Sequence, residues 1–120
     1  MWRFRRFIRR FKNLLRWLPI IWRDEQWDHY YIFEILKYKL IFTAEYTRKN
    51  GYHVNSSYDA DRMMLCVRLI DKVQNEEYME ALINDDGLTA EKIDAAYNKQ
   101  VKARRLLFKL LDKYIEGWWD

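Results

Sequence analysis

Apolar residues recur at spacings of three and four along almost the whole chain, and only three glycines and one proline interrupt them. That periodicity fits a helix turning by about 100° per residue, and it does not fit the strict alternation of a half-buried strand. With so few turn formers the chain must fold into few, long elements. The sequence therefore predicts an all-α protein: an elongated bundle of three long antiparallel helices plus a short N-terminal basic amphipathic helix. Its 120 residues suffice for one domain and one core.

Four helices can be placed. In the first, over residues 1–18, Phe4, Phe7, Ile8, Phe11, Leu14, Leu15 and Leu18 share one arc, with Arg5, Arg9, Lys12 and Arg16 in a stripe opposite. Pro19 ends or kinks it, because proline has no N–H to donate and biases Leu18 away from helical geometry. The bundle occupies residues 24–120. Its first helix runs from about Glu25 to Lys49, with Asp24 as N-cap and Asn50-Gly51 as the stop. Twelve of the seventeen residues from Tyr30 to Tyr46 are apolar and lie almost all round it, so several neighbours should cover it.

A loop follows from Tyr52 to Ser56, holding His53. Ser56 or Ser57 caps a helix over about Tyr58 to Asn84, with Ala60, Met63, Cys66, Val67, Ile70 and Val73 as its core face and a weak stretch after Asn75. Asp85-Asp86-Gly87 makes a turn. Thr89 caps the last helix, flanked by Leu88 and Ile93 at the two positions of a hydrophobic staple. That helix runs to about Glu116, carrying Ile93, Tyr97, Val101, Phe108, Leu111 and Ile115 inward, and Gly117 terminates it.

Charge is unevenly distributed. The first 23 residues hold eight of the 22 Lys and Arg and none of the 18 Asp and Glu, so a +8 leader precedes a −4 body. A segment of one sign on a body of the other points to an anionic partner. Trp2 and Trp17 fall on the basic side of the first helix. Arginines grip phosphate oxygens bidentately and an indole stacks on a base, so this face suits a nucleotide or single strand. It also suits an anionic membrane surface, or a structural role in which the arginines pair with the acidic body. Lys99, Lys102, Arg105, Lys109 and Lys113 form a second basic stripe, read as a solvated face. Arg104 falls among Tyr97, Val101, Phe108 and Leu111, where a guanidinium needs a partner such as Glu45, a route to solvent, or an anionic ligand.

Signatures of catalysis are missing: no glycine-rich phosphate loop, nucleophile elbow, paired-cysteine site or HExxH. Cys66, the single cysteine, excludes an intramolecular disulfide, lies on an apolar face and reads as an inert thiol in a reducing compartment. Glu25, Asp28 and His29 form a helix-start charge cluster too small for a metal centre, and neither cofactor nor metal is expected. No apolar run approaches the roughly 20 residues that span a bilayer, and the leader lacks the apolar stretch of a secretory signal. The expectation is a soluble, cytoplasmic protein. Trp118-Trp119 adds aromatic surface near the chain's end, suited to a partner subunit or to packing back on the bundle.

The block Trp17-Leu18-Pro19-Ile20-Ile21-Trp22-Arg23-Asp24, with Trp27-Asp28 after it, resembles a family of small accessory proteins encoded by tailed bacteriophages. Gly51-Tyr52-His53-Val54, Asp59-Ala60-Asp61-Arg62-Met63 and Leu65-Cys66-Val67-Arg68-Leu69-Ile70-Asp71 match it too, and the resemblance covers about residues 1–75. It implies a phage origin and action in the bacterial cytoplasm, and transfers no activity and no catalytic residues. By analogy, such proteins include non-enzymatic binders that sequester nucleotide signals of host defence.

The function expected is thus non-enzymatic binding of an anionic ligand, with a nucleotide as first choice. Arg5, Arg9, Lys12 and Arg16 would hold phosphates, Trp2 or Trp17 would stack, and Arg104 would supply an inner contact. The alternatives are a module that inhibits or recruits a host protein, with homo-oligomers expected, and peripheral binding to anionic membrane.

Overall fold

The computed structural model describes residues 2–51, 55–75, 77–82 and 87–118, and every regular element among them is helical. In chain order they are α1 (Trp2–Trp22), α2 (His29–Asn50), α3 (Ser56–Gln74), α4 (Glu77–Glu80), α5 (Ala90–Tyr114) and a closing 3-10 turn, Ile115–Gly117. The chain divides into two compact units, Met1–Ile35 and Leu36–Asp120. The expected loop around Tyr52 to Val54, the residue pair Asp85-Asp86 and Trp119 lie outside the described residues.

In the first unit, Pro19 does not stop α1. The helix runs 21 residues, through Pro19 to Trp22, and is not the short element expected. A proline removes only its own N–H from the ladder, and here only three helical residues follow it. The side chain of Arg23 then reaches back, its Nε donating to the Pro19 carbonyl at 3.1 Å, so one of the orphan carbonyls of the last turn is satisfied. Asp24 is not the N-cap of α2. That helix begins four residues later than expected, at His29, because Asp28 takes the role: its carboxylate accepts from the Tyr30 N–H at 3.1 Å.

The second unit is built on α3. All six residues expected on its core face are buried, with Leu69 beside them; Ala60, Met63, Cys66 and Ile70 are sealed from solvent. Its ends differ from expectation. The residue at its N-cap is Asn55, without a side-chain hydrogen bond, and the helix stops at Gln74 where the Asn75 N–H bonds to the Asp71 carbonyl. The acidic stretch beyond becomes the separate single turn α4. α5 packs against both α3 and α4, and Thr89 caps it as expected, accepting from the Lys92 N–H at 3.2 Å.

α5 is turned about its axis by roughly 90° from the orientation its pattern predicted. Its buried residues are Ala96, Ala103, Leu107 and Leu111. Ile93, Tyr97, Phe108 and Ile115, expected inside, are exposed, and Arg104 is exposed with them. α2 is likewise covered more narrowly than its all-round apolarity suggested. Phe33, Leu40, Ala44 and Thr47 are buried along one face, whereas Ile32, Ile35 and Tyr46 are exposed.

Two ion pairs join α2 to α3: Lys37 Nζ to Asp71 Oδ1 at 3.3 Å and Arg48 to Asp61 at 2.9 Å. Gly51 closes the connection. Its N–H bonds to the Thr47 carbonyl at 2.9 Å, and a Cβ added there would run into that carbonyl oxygen and the Cβ of Ser56. Backbone must then shift, so Gly51→Ala is expected to lower unfolding stability by about 1–3 kcal/mol, read as a lower urea midpoint at unchanged slope.

Candidate anion-binding helix

α1 keeps its cations clear of one apolar arc. Phe4, Phe7, Ile8, Phe11, Leu14, Leu15 and Leu18 fill an arc about 120° wide, and continuation of the helix adds Trp22 to it. No polar side chain interrupts the arc. Arg3, Arg5, Arg6, Arg9, Arg10, Lys12 and Arg16 lie on the remaining surface together with Trp2, Asn13, Trp17, Ile20 and Ile21, of which Ile20 is buried. Every one of the eight arc residues is exposed, from 36% for Ile8 to 84% for Trp22.

The electrostatics of this helix work against it. Arg5 and Arg9, Arg6 and Arg10, and Lys12 and Arg16 are like-charged neighbours four apart, each pair costing a few tenths of a kcal/mol. No acidic residue occupies the first turn, where Arg3 and Arg5 face the positive end of the helix dipole. Among the described residues of this unit, no carboxylate pairs with Arg3, Arg5, Arg6, Arg9, Arg10 or Lys12. An anion laid along the stripe relieves all of these strains together.

The residues expected to bind are not gathered at one point. Arg5, Arg9, Lys12 and Arg16 form a row about 16 Å long, and Trp2 and Trp17 stand about 22 Å apart along the axis at 1.5 Å per residue. Trp2 is exposed, with the Arg6 guanidinium 5.3 Å from its ring centroid, whereas Trp17 is half-buried. A shallow recess lies among Trp2, Arg3, Arg6, Phe7 and Arg10. It is made by side chains of a single helix. Arg104 belongs to α5 in the other unit and is exposed.

No protein-family model, curated protein or solved structure matches the chain. Its chemistry is therefore read from these side chains alone.

Elsewhere, Cys66 is buried and desolvation pushes its thiol above the usual cysteine value, which opposes the thiolate a nucleophile needs. Asp28 and His29 lie 3.3 Å apart at the start of α2. Among the described residues, no three His, Cys, Asp or Glu side chains come close enough to hold a metal ion. The second basic stripe, Lys99, Lys102, Arg105, Lys109 and Lys113, is exposed as expected of a solvated face.

One cluster escaped the sequence reading. At the start of α3 and the end of α5, the Arg62 guanidinium lies 4.5 Å from the Tyr58 ring centroid and 5.4 Å from that of Tyr114. The two rings meet edge to face at 6.3 Å, and the Tyr58 hydroxyl donates to that of Tyr114 at 3.5 Å. Spacing on α3 makes Tyr58 and Arg62 neighbours, but nothing local links them to a residue 56 positions away from Tyr58. The hydrogen bond from Tyr58, with help from Lys113 and Arg62, holds the Tyr114 phenol below the usual tyrosine value. In Tyr58→Phe the Tyr114 ring is expected to titrate at higher pH than in the parent chain, which NMR of the labelled ring reads directly.

Proposed function

We propose that the protein is a non-enzymatic binder of phosphate-bearing anions and that α1 is its binding element. The observation that carries this reading is that, among the described residues of this unit, no carboxylate pairs with Arg3, Arg5, Arg6, Arg9, Arg10 or Lys12 on an exposed helix. Arg5, Arg9, Lys12 and Arg16 hold phosphate oxygens, and Trp2 and Trp17 offer rings beside them. Two sources supply such a group: a nucleotide, including a signalling nucleotide of host defence, and the headgroup of an anionic phospholipid. The recess beside Trp2 would offer a nucleotide a stacking ring, and the exposed Phe/Leu arc would offer a bilayer its apolar contact.

The setting proposed is the cytoplasm of a bacterial host, with the protein acting as a phage accessory factor. Residues 24–120 are read as the antiparallel helical bundle that the sequence predicts. A protein partner, either a host protein or a second copy, is the second reading, and the exposed apolar stripe of α5 favours it: Tyr97 is 59% and Phe108 52% exposed.

The test is glutamine substitution of Arg5, Arg9, Lys12 and Arg16 together. Nucleotide titrations by calorimetry and flotation with anionic vesicles should both be run. The reading predicts that whichever probe binds the parent chain is lost by this variant. Equal binding by parent and variant, or no binding of any probe at low salt, discards it.

A further inference from the structure

We infer that the phosphates α1 meets are those of a lipid bilayer, with the helix lying in the plane of the interface and its Phe/Leu arc sunk into the acyl boundary. This rests on the reading of α1 as the binding element and goes beyond it by naming the partner. A soluble nucleotide answers the cations but leaves the opposite arc bare, and Phe7, Phe11 and Leu14 in the middle of that arc are each at least half exposed. A peptide-binding groove covers an apolar face and leaves the cations in water. Only a lamellar phase with charged headgroups satisfies both faces of one rod at once.

The dimensions agree. The cations from Arg3 to Arg16 extend about 20 Å along the helix, too far for the phosphates of one small molecule and matched to a continuous sheet of headgroups. α1 has the length of a membrane-crossing helix, yet no helix among the described residues is long and apolar enough to cross. Its seven cations hold it at the surface. Lys12 on one side and Arg3 on the other flank the arc, where their aliphatic stems can lie on the apolar layer while their charges reach the phosphates. Trp22 falls within the arc at the far end of the helix and brings an indole to the interface, while Trp2 lies on the basic side beside the Arg6 guanidinium. Charge complementarity is one-sided: residues 1–23 carry no carboxylate to repel an anionic leaflet.

The experiment uses the full chain and two vesicle preparations, phosphatidylcholine alone and phosphatidylcholine mixed with phosphatidylglycerol. Flotation should capture the protein on the mixed vesicles at least tenfold more tightly than on the neutral ones. Phe7→Ser with Phe11→Ser keeps every charge and removes the middle of the arc; it should weaken vesicle binding at least tenfold with thermal unfolding unchanged. Full retention by that variant overturns insertion, as does equal capture by neutral vesicles. Nucleotide binding without vesicle binding overturns the lipid assignment while leaving the phosphate-binding role of α1 standing. Absence of both removes the inference together with the reading on which it rests.

Discussion

Two variants with the same net charge are expected to behave oppositely toward anionic vesicles. Replacing Arg5, Arg9, Lys12 and Arg16 by glutamine takes the formal charge from +4 to 0, and so does replacing Lys99, Lys102, Lys109 and Lys113. A cation held near an anionic surface contributes about 1 kcal/mol. Four on α1 therefore contribute about 4 kcal/mol, close to three powers of ten in affinity at 1.4 kcal/mol per decade. The α5 set lies on a solvated face of the other unit, so its loss should weaken binding by less than about tenfold through the general field alone. Glutamine is a good helix former, so α1 itself is not broken by the change. Flotation across a salt series separates the cases, since the parent's advantage should shrink as added salt shortens the screening length from about 10 Å. Equal losses in the two variants would mean that net charge, and not its arrangement on α1, governs binding.

The same arithmetic distinguishes a surface from a small ligand. A nucleotide in the recess beside Trp2 touches the cations of adjacent turns only, because the row they form is about 16 Å long. Substitutions at Arg3, Arg6 and Arg10, which line that recess, would then act strongly and substitutions at Arg16 hardly at all. Toward a bilayer every position along the row contributes comparably.

What could be read from the sequence follows from how many faces each helix has. α3 has one apolar face, and all six residues assigned to it are buried. α1 also has one, so both its arc and its cation stripe were legible before any coordinates. The Thr89 cap was legible because a side-chain oxygen just before a periodic segment has one natural acceptor role. Elsewhere two signals competed. Asp24 and Asp28 are both good caps, and only the fold selects Asp28. Pro19 reads as a stop, yet a proline near the last turn forfeits little of the ladder. The Tyr58–Arg62–Tyr114 cluster depends on packing between distant segments, which no local spacing encodes.

α5 is the instructive failure, and it sets up the largest difference in stability. Leu107→Ala is expected to cost about 2–5 kcal/mol, whereas Phe108→Ala, one residue on, should change stability by less than about 1 kcal/mol. A reading weighted by side-chain size predicts the reverse. Phe108, Tyr97, Val101 and Ile115 make the bulkier stripe, and it is natural to turn them inward. The packed seam instead consists of Ala96, Ala103, Leu107 and Leu111, two of them small. Helices whose axes approach within 8–10 Å leave little room between them, and α3 offers its own small residues, Ala60 and Cys66, at the core. Alanines on α5 let the backbones close, and Leu107, fully sealed, fills what remains. Truncating it leaves a void among side chains that cannot collapse onto it. Phe108 is about half exposed, so its loss removes little buried area, and alanine's higher helix propensity returns a few tenths of a kcal/mol. Urea unfolding of the two variants side by side measures the difference. Should Phe108→Ala prove the more damaging, α5 sits in the orientation its bulk suggests, and the exposed stripe assigned to a protein partner would disappear with it.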